Sequence, residues 1–247
     1  PPPFSSRRRH TRSLVPSRGL GDVYKRQGQA GYTIAQHQGC FMTLAIIDSG
    51  GANISSVIHA LRRQGVEPRF TRDSEIIRSA DRVILPGVGA AGTAMAHLHE
   101  LGLVECIRGL TQPVLGICLG MQLLFESSSE SHQGEEGVDC LGIIPGKLKK
   151  LQAGEGLRVP HMGWNTTRFL RKHPLLNGLP DAAWFYFVHS YRAPIGAHTL
   201  ASCVHGEEFT AIVARDNFHG AQFHPERSAQ HGAKLLANFM QLGRAQL

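Results

Sequence analysis

The sequence predicts an α/β protein with a mixed, mostly parallel sheet and helices on both of its faces. Two observations carry this. From Thr43 onward, short apolar runs alternate with amphipathic stretches, the pattern of strands joined by helical crossovers. One of those runs ends in Gly116-Ile117-Cys118-Leu119-Gly120, a G-x-C-x-G pattern that matches a strand–elbow–helix turn presenting a nucleophile.

The elements follow in order. "TLAIID" (Thr43–Asp48) is a buried strand ending in a Gly-rich turn, and Asn53 caps a helix over "ISSVIHALRRQ" that stops at Gly65. "EPRFTR" and "RVILPG" are strands, the second stopped by Pro86-Gly87. "TAMAHLHELGLVECIRGL" carries one helical pattern. "PVLGI" is an apolar strand, and "LGMQLLFE" starts the next helix. After the polar loop "SSSESHQGEEG" the period changes. "GIIPGKLKKL", "AWFYFVHSYRA", "TLASCVH", "TAIVARD" and "HGAQFHPE" are expected as strands, several of them antiparallel. "AKLLANFMQL" closes the chain as an amphipathic helix. No internal repeat and no second-domain boundary is evident.

Composition bounds the function. A chain of 247 residues can bury a sizeable core. No segment approaches the ~18 consecutive apolar residues of a membrane span, so no membrane is expected. The net charge of +7 suggests an acidic partner, but its distribution argues otherwise. Residues 1–41 hold Arg7, Arg8, Arg9, Arg12, Arg18, Lys25 and Arg26 against Asp22 alone, a balance of +6 that leaves +1 for the rest. No nucleic acid is expected to bind the nearly neutral remainder. The leader is rich in Pro, Ser and Arg and lacks a period; it is expected as a non-native or disordered segment, with an organelle transit peptide as the other reading. Residues 42–247 are then the folded domain, starting at Met42. The five cysteines, Cys40, Cys106, Cys118, Cys140 and Cys203, include no CxxC pair. A reducing cytoplasm is expected, without a metal site or a disulfide framework.

Cys118 is open to two readings, a buried core thiol or a nucleophile. Flanking glycines allow a sharp turn, and the helix start offers free N–H groups and the positive end of a dipole. The Leu119 N–H is then an oxyanion donor. A thiol nucleophile needs a base with an orienter. "AQFHPERS" supplies His224 and Glu226, two apart and on one face if the segment is extended.

"GICLGMQLLFE" and "FHPERS", in that order, resemble the nucleophile and His/Glu motifs of class I glutamine amidotransferases, and the resemblance covers about Thr43 to Leu242. "DSGGANISSV", "LPGVGA", "VPHMGWN" and "YFVHSYRA" are similar to the glutaminase subunits of imidazole glycerol phosphate synthases, whereas relatives that make anthranilate, carbamoyl phosphate or GMP usually read PGPG in place of PGVG. The resemblance implies a flavodoxin-like fold and an enzyme that hydrolyses glutamine to glutamate and ammonia, with no cofactor and no metal. Its partner would be a β/α-barrel cyclase subunit, in a heterodimer that makes imidazole glycerol phosphate and aminoimidazole carboxamide ribotide for histidine biosynthesis. Cys118, His224 and Glu226 would be the catalytic triad, with Val88 and Leu119 forming the oxyanion hole. Gly87, Gly89, Gln122, His189, Ser190 and Tyr191 would bind substrate. Asn53, Pro160, His161, Met162, Trp164 and Asn165 would face the partner, although Trp164 is also open to a core reading. Ser49 stands where the family usually carries Tyr, and Arg227 where Lys is usual. Two other functions compete: a triad hydrolase of γ-glutamyl peptides without a partner, and a non-catalytic binding subunit. "VPHMGWN" argues against the first and the intact Cys/His/Glu set against the second.

Overall fold

A computed structural model describes residues 42–50, 54–130, 134, 137–154 and 156–243. The expectations for residues 1–41 and for Asn53 lie outside the described residues.

The first half runs β1 (Leu44–Ile47), α1 (Ile54–Arg62), β2 (Arg69–Thr71), α2 (Ser74–Ser79), β3 (Arg82–Leu85), α3 (Ala91–Glu100), α4 (Leu103–Arg108), β4 (Val114–Ile117) and α5 (Leu119–Leu123). The second runs β5 (Phe125–Ser128), β6 (Val138–Asp139), β7 (Ile144–Lys150), β8 (His161–Thr166), β9 (Arg168–Phe169), β10 (Trp184–His189), β11 (Tyr191–Arg192), β12 (Thr199–His205), β13 (Glu207–Arg215), β14 (Phe218–Ala221) and α6 (Ala229–Gln241). Among the described residues the central sheet has the order β2-β1-β3-β4-β14-β13-β12-β9. β2, β1, β3, β4 and β14 are parallel; β13, β12 and β9 extend the sheet antiparallel. The parallel part has the flavodoxin-like order, in which ligands gather beyond the carboxyl ends of the strands.

Alternation along each strand splits the core into two layers. Ala45, Ile47, Val83 and Leu85 join Ile77, Leu98 and Ile107 of α2, α3 and α4 on one face. Leu44, Ile46, Ile84, Leu115 and Ile117 join Leu61 of α1 and Leu235 and Phe239 of α6 on the other. Burial on both faces is why these strands read as continuous apolar runs.

Four elements differ from the sequence reading. The helix begun at Leu119 stops at Leu123, and Phe125–Ser128 is a strand paired with β7 and β6. Serine competes for backbone hydrogen bonds in a helix, and β7 offers a ladder in its place. The single helix expected over 93–110 is two helices, parted at Gly102, which takes φ 65°, a conformation glycine adopts without steric cost. α2 was not anticipated; six residues are too few to display a period, but the Asp73 side chain caps it, accepting from the Glu75 and Ile76 N–H groups. "VPHMGWN" supplies β8, which pairs antiparallel with β10 in a ribbon outside the central sheet.

The turn from β4 into α5 is built on close backbone approach. A Cβ on Gly120 would lie 1.8 Å from the Leu85 carbonyl oxygen, and one on Gly116 would lie 2.6 Å from the Gly120 oxygen. Gly120→Ala should therefore destabilise the protein by about 3 kcal/mol or more. Gly196→Ala, where an added Cβ meets nothing within 4 Å, should change stability by less than about 1 kcal/mol. Urea unfolding of the two variants checks this, and equal midpoints would contradict it.

Candidate active site

Cys118 stands at the carboxyl end of β4 with φ 53° and ψ −109°. That conformation costs a non-glycine residue about 1–3 kcal/mol, so it has to be held. The Cys118 N–H donates to the Ala221 carbonyl at 2.8 Å, and the Cys118 carbonyl accepts from the Gln122 N–H at 3.1 Å. The first bond extends the parallel β4–β14 ladder, where Gly116 faces Gly220 and Ile117 faces Ala221. The chain leaving β14 therefore passes the elbow and reaches His224 three residues beyond Ala221.

The expected extended His-Pro-Glu segment is corrected by the structure. Pro225–Arg227 forms a 3-10 turn with His224 at its N-cap. In an extended strand the two side chains would stand about 6.5–7 Å apart at their Cα atoms. The turn instead wraps the carboxylate back, and His224 Nδ1 lies 2.9 Å from Glu226 Oε1. A carboxylate there accepts, so Nδ1 carries the hydrogen and Nε2 is the ring nitrogen left to serve Cys118, which lines the same cleft. The ring's backbone is fixed as well: its N–H donates to the Tyr186 carbonyl at 2.9 Å, and Ser228 Oγ donates to its carbonyl at 2.7 Å.

Burial works against a charge on His224, but the hydrogen bonds and charges of Cys118 and Glu226 outweigh it and raise its pKa to about 10. Burial, with Asp139 and Glu130 nearby, pushes Cys140 up to about 12, and burial pushes Cys203 up to about 12 and raises Cys106.

A cleft of about 330 Å3 opens over these groups, lined by Val88 and Gly89, Cys118 and Leu119, Gln122, Glu130, Pro160, Val188 to Tyr191, and His224. A larger cavity of about 640 Å3 beside β1 and β2 holds neither cysteine nor histidine in its lining. Gly89 takes φ 101° and leaves the Val88 peptide at the cleft edge. Gly87 packs on the elbow, where an added Cβ would come within 2.9 Å of the Gly120 nitrogen. Leu119 opens α5, where an N–H has no acceptor within its own helix. Gln122 reaches inward, donating through Nε2 to the Tyr191 carbonyl and to Gln222 Oε1, both at 3.0 Å.

Side-chain direction bears on several of the expected residues. His189 borders the cleft, but both its ring nitrogens bond inside the protein, to the Tyr191 carbonyl at 2.8 Å and to His161 at 3.0 Å. His161 was expected on a partner face; it is 4% exposed and points inward, because alternate residues of β8 face opposite ways. Pro160 lines the cleft, and Asn165 Nδ2 donates to the Val204 carbonyl at 2.9 Å. Met162 and Trp164 are outward, 63% and 49% exposed, with Trp184 of β10 at 52%. The core reading of Trp164 is thereby excluded; its ring meets Tyr186 edge-on.

The two unusual residues have local partners. Ser49 Oγ donates to the Pro86 carbonyl at 2.9 Å, tying the end of β1 to the Pro86–Gly89 loop. The Arg227 guanidinium lies 4.7 Å from the Tyr186 ring centre, a cation–π contact beside Trp164. Sequence reasoning missed Glu130 and Gln222. Glu130 came from a polar loop without a pattern; one carboxylate oxygen accepts from the Ala91 N–H at the start of α3, 2.6 Å away. Gln222, whose Nε2 lies 3.8 Å from Cys118 Sγ, could have been suspected from standing two residues before His224.

A folded-state pKa raised above the ordinary 6.5 stabilises the protein fully below that value and is lost as pH rises through about 10. The stability difference between the protein and its His224→Gln variant should thus be largest near pH 6 and shrink steadily toward pH 10. Thermal unfolding across that range measures it, and a difference that grows with pH would contradict the assignment.

The family Glutamine amidotransferase class-I matches residues 45–242. The chain is 54% identical over 199 residues to the imidazole glycerol phosphate synthase subunit HisH of Xanthomonas campestris pv. campestris, covering 81% of this chain and 97% of that protein. It is 52% identical over 202 residues to the HisH subunit of Xylella fastidiosa (strain Temecula1), covering 82% and 98%. Among solved structures, a glutamine amidotransferase superposes with a TM-score of 0.62 at 18% identity, covering 81% of this chain and 97% of that one; at that identity the likeness speaks to the fold alone.

Proposed function

The chain belongs to the class I glutamine amidotransferase family, within it to the imidazole glycerol phosphate synthase HisH subunits, and on that premise we propose that Cys118, His224 and Glu226 release ammonia from glutamine for a cyclase partner. The observation that carries the reading is the strained Cys118 elbow facing a His224 ring oriented by Glu226, in one cleft.

Cys118 Sγ attacks the side-chain amide carbon of glutamine while His224 Nε2 holds the thiol proton. The oxygen that becomes negative is met by the Leu119 N–H and, once its peptide faces inward, by the Val88 N–H. The C–N bond breaks as His224 passes its proton to the departing ammonia, leaving a γ-glutamyl thioester. Water then attacks the thioester with His224 as base, freeing glutamate and restoring the thiol. Glu226 keeps Nδ1–H in place and balances the imidazolium. Glu130 supplies the carboxylate that suits the substrate's α-ammonium, and the Ser190–Tyr191 backbone bounds the same end of the cleft.

The partner is a β/α-barrel cyclase subunit in a heterodimer. Its docking face includes Met162 and Trp164, whose exposure suits an apolar interface centre. Ammonia passes into the barrel and reacts there with an activated ribonucleotide. The buried, unpaired thiols of Cys106, Cys140 and Cys203 accord with a reducing cytoplasm. Among the described residues no helix is long and apolar enough to cross a membrane.

Gly87 and Gly89 flank Val88 and lower the cost of turning its peptide, so the partner can favour the active arrangement by binding it more tightly. An oxyanion donor pointing away costs a factor of about 10²–10³ in rate. Glutamate release should therefore rise by about that factor from the chain alone to the complex with its ribonucleotide ligand; equal rates would remove the switching idea. Cys118→Ala should lower glutamine-dependent synthesis about a thousandfold or more, while ammonium salt still supports the cyclase reaction. Glutamine turnover at the unaltered rate in that variant would end the assignment.

A further inference from the structure

His161 of β8 and His189 of β10 are direct cross-strand neighbours, and their hydrogen bonds fix every proton between them. The Tyr191 carbonyl can only accept, so the His189 Nδ1 bonded to it at 2.8 Å carries a hydrogen. Burial keeps that ring neutral, with its pKa pushed down to about 3, so its Nε2 is bare and accepts. The donor facing it at 3.0 Å is His161 Nδ1. Burial, with His205 close by, lowers His161 to about 4, so His161 Nε2 is bare in turn. It accepts from Asn165 Nδ2 at 3.3 Å.

The bonds thus run in one direction, from Asn165 to His161 to His189 to the Tyr191 carbonyl. That carbonyl also accepts from Gln122, which donates to Gln222 beside Cys118. The other end lies in β8, the strand whose opposite face carries the exposed Met162 and Trp164. A carbonyl held by two donors has a defined position, and so has the Ser190–Tyr191 backbone that lines the cleft.

We propose that His161 and His189 are positioning residues: a tautomer-locked pair that sets the Ser190–Tyr191 backbone for glutamine binding and ties that setting to the strand bearing Met162 and Trp164. Neither ring touches substrate. The inference rests on the reading of the cleft as the glutamine site, and it gives the pair a role distinct from contact with either the substrate or the cyclase.

The test has two arms. In the unaltered protein at pH 7, ring ¹⁵N NMR shifts should report His161 and His189 both neutral with the hydrogen on Nδ1. An Nε2–H tautomer or a charged ring at either position would overturn the proposal without reference to activity. In the complex, His161→Leu leaves the buried His189 Nε2 without its donor and should raise the KM for glutamine about tenfold, with a smaller change in kcat. His161→Asn, which keeps a donor near the Nδ1 position, should recover most of the loss. Cyclase turnover on ammonium salt should not respond to either change. A glutamine KM in His161→Leu equal to that of the unaltered complex would overturn the proposal while leaving the triad reading intact. Absence of glutamine hydrolysis in the unaltered complex would instead sink the underlying reading.

Discussion

The site depends on one strand pairing. β4 ends in the cysteine and β14 leads to the histidine, and the two lie side by side in parallel. Elements more than a hundred residues apart in sequence are brought together at the carboxyl ends of two central strands by that ladder. The last of its bonds, from the Cys118 N–H to the Ala221 carbonyl, is also the one that holds the nucleophile's backbone outside its ordinary conformations. Strain at the elbow is tolerated because the surrounding structure over-determines it. The Leu85 carbonyl on the neighbouring β3 occupies the space a side chain at Gly120 would need.

The same architecture gives one residue type opposite protonation behaviour. His224 is buried yet raised to about 10, because Cys118 and Glu226 both favour its charged form. For His161 and His189 burial dominates, with other histidines nearby, and they fall to about 4 and 3. Burial alone disfavours charge in all three, and the neighbouring groups decide the outcome. A ring that holds a proton beside a thiol suits proton transfer, whereas a ring that cannot titrate near neutrality suits holding a backbone in place.

Much of the site was legible because its chemistry needs rare local combinations. Glycines two residues either side of Cys118 encode the elbow, and His-Pro-Glu encodes a base with its orienter. The geometry of the second motif was not legible, because an extended segment and a 3-10 turn both accommodate Pro225. The direction of His161 was hidden for another reason. The resemblance assigned "PHMGWN" to one face as a block, whereas alternate residues of a strand face opposite ways, which puts His161 inward and Met162 and Trp164 outward. Glu130 follows a run of serines in a loop, where one acid looks like any other until folding brings it to the start of α3.

The central claim is that Cys118 is reactive because of where the fold places it and what His224 does beside it. Covalent labelling with a diazoketone analogue of glutamine, in the presence of the cyclase subunit and read by peptide mass spectrometry, tests this most directly. Among the described cysteines the account predicts one adduct, on the peptide containing Cys118, with a labelling rate that falls sharply in His224→Asn. Cys106, Cys140 and Cys203 are buried, with thiol pKa values raised by that burial, and should stay unmodified. Labelling of one of those three in place of Cys118, or a Cys118 rate indifferent to His224, would contradict it.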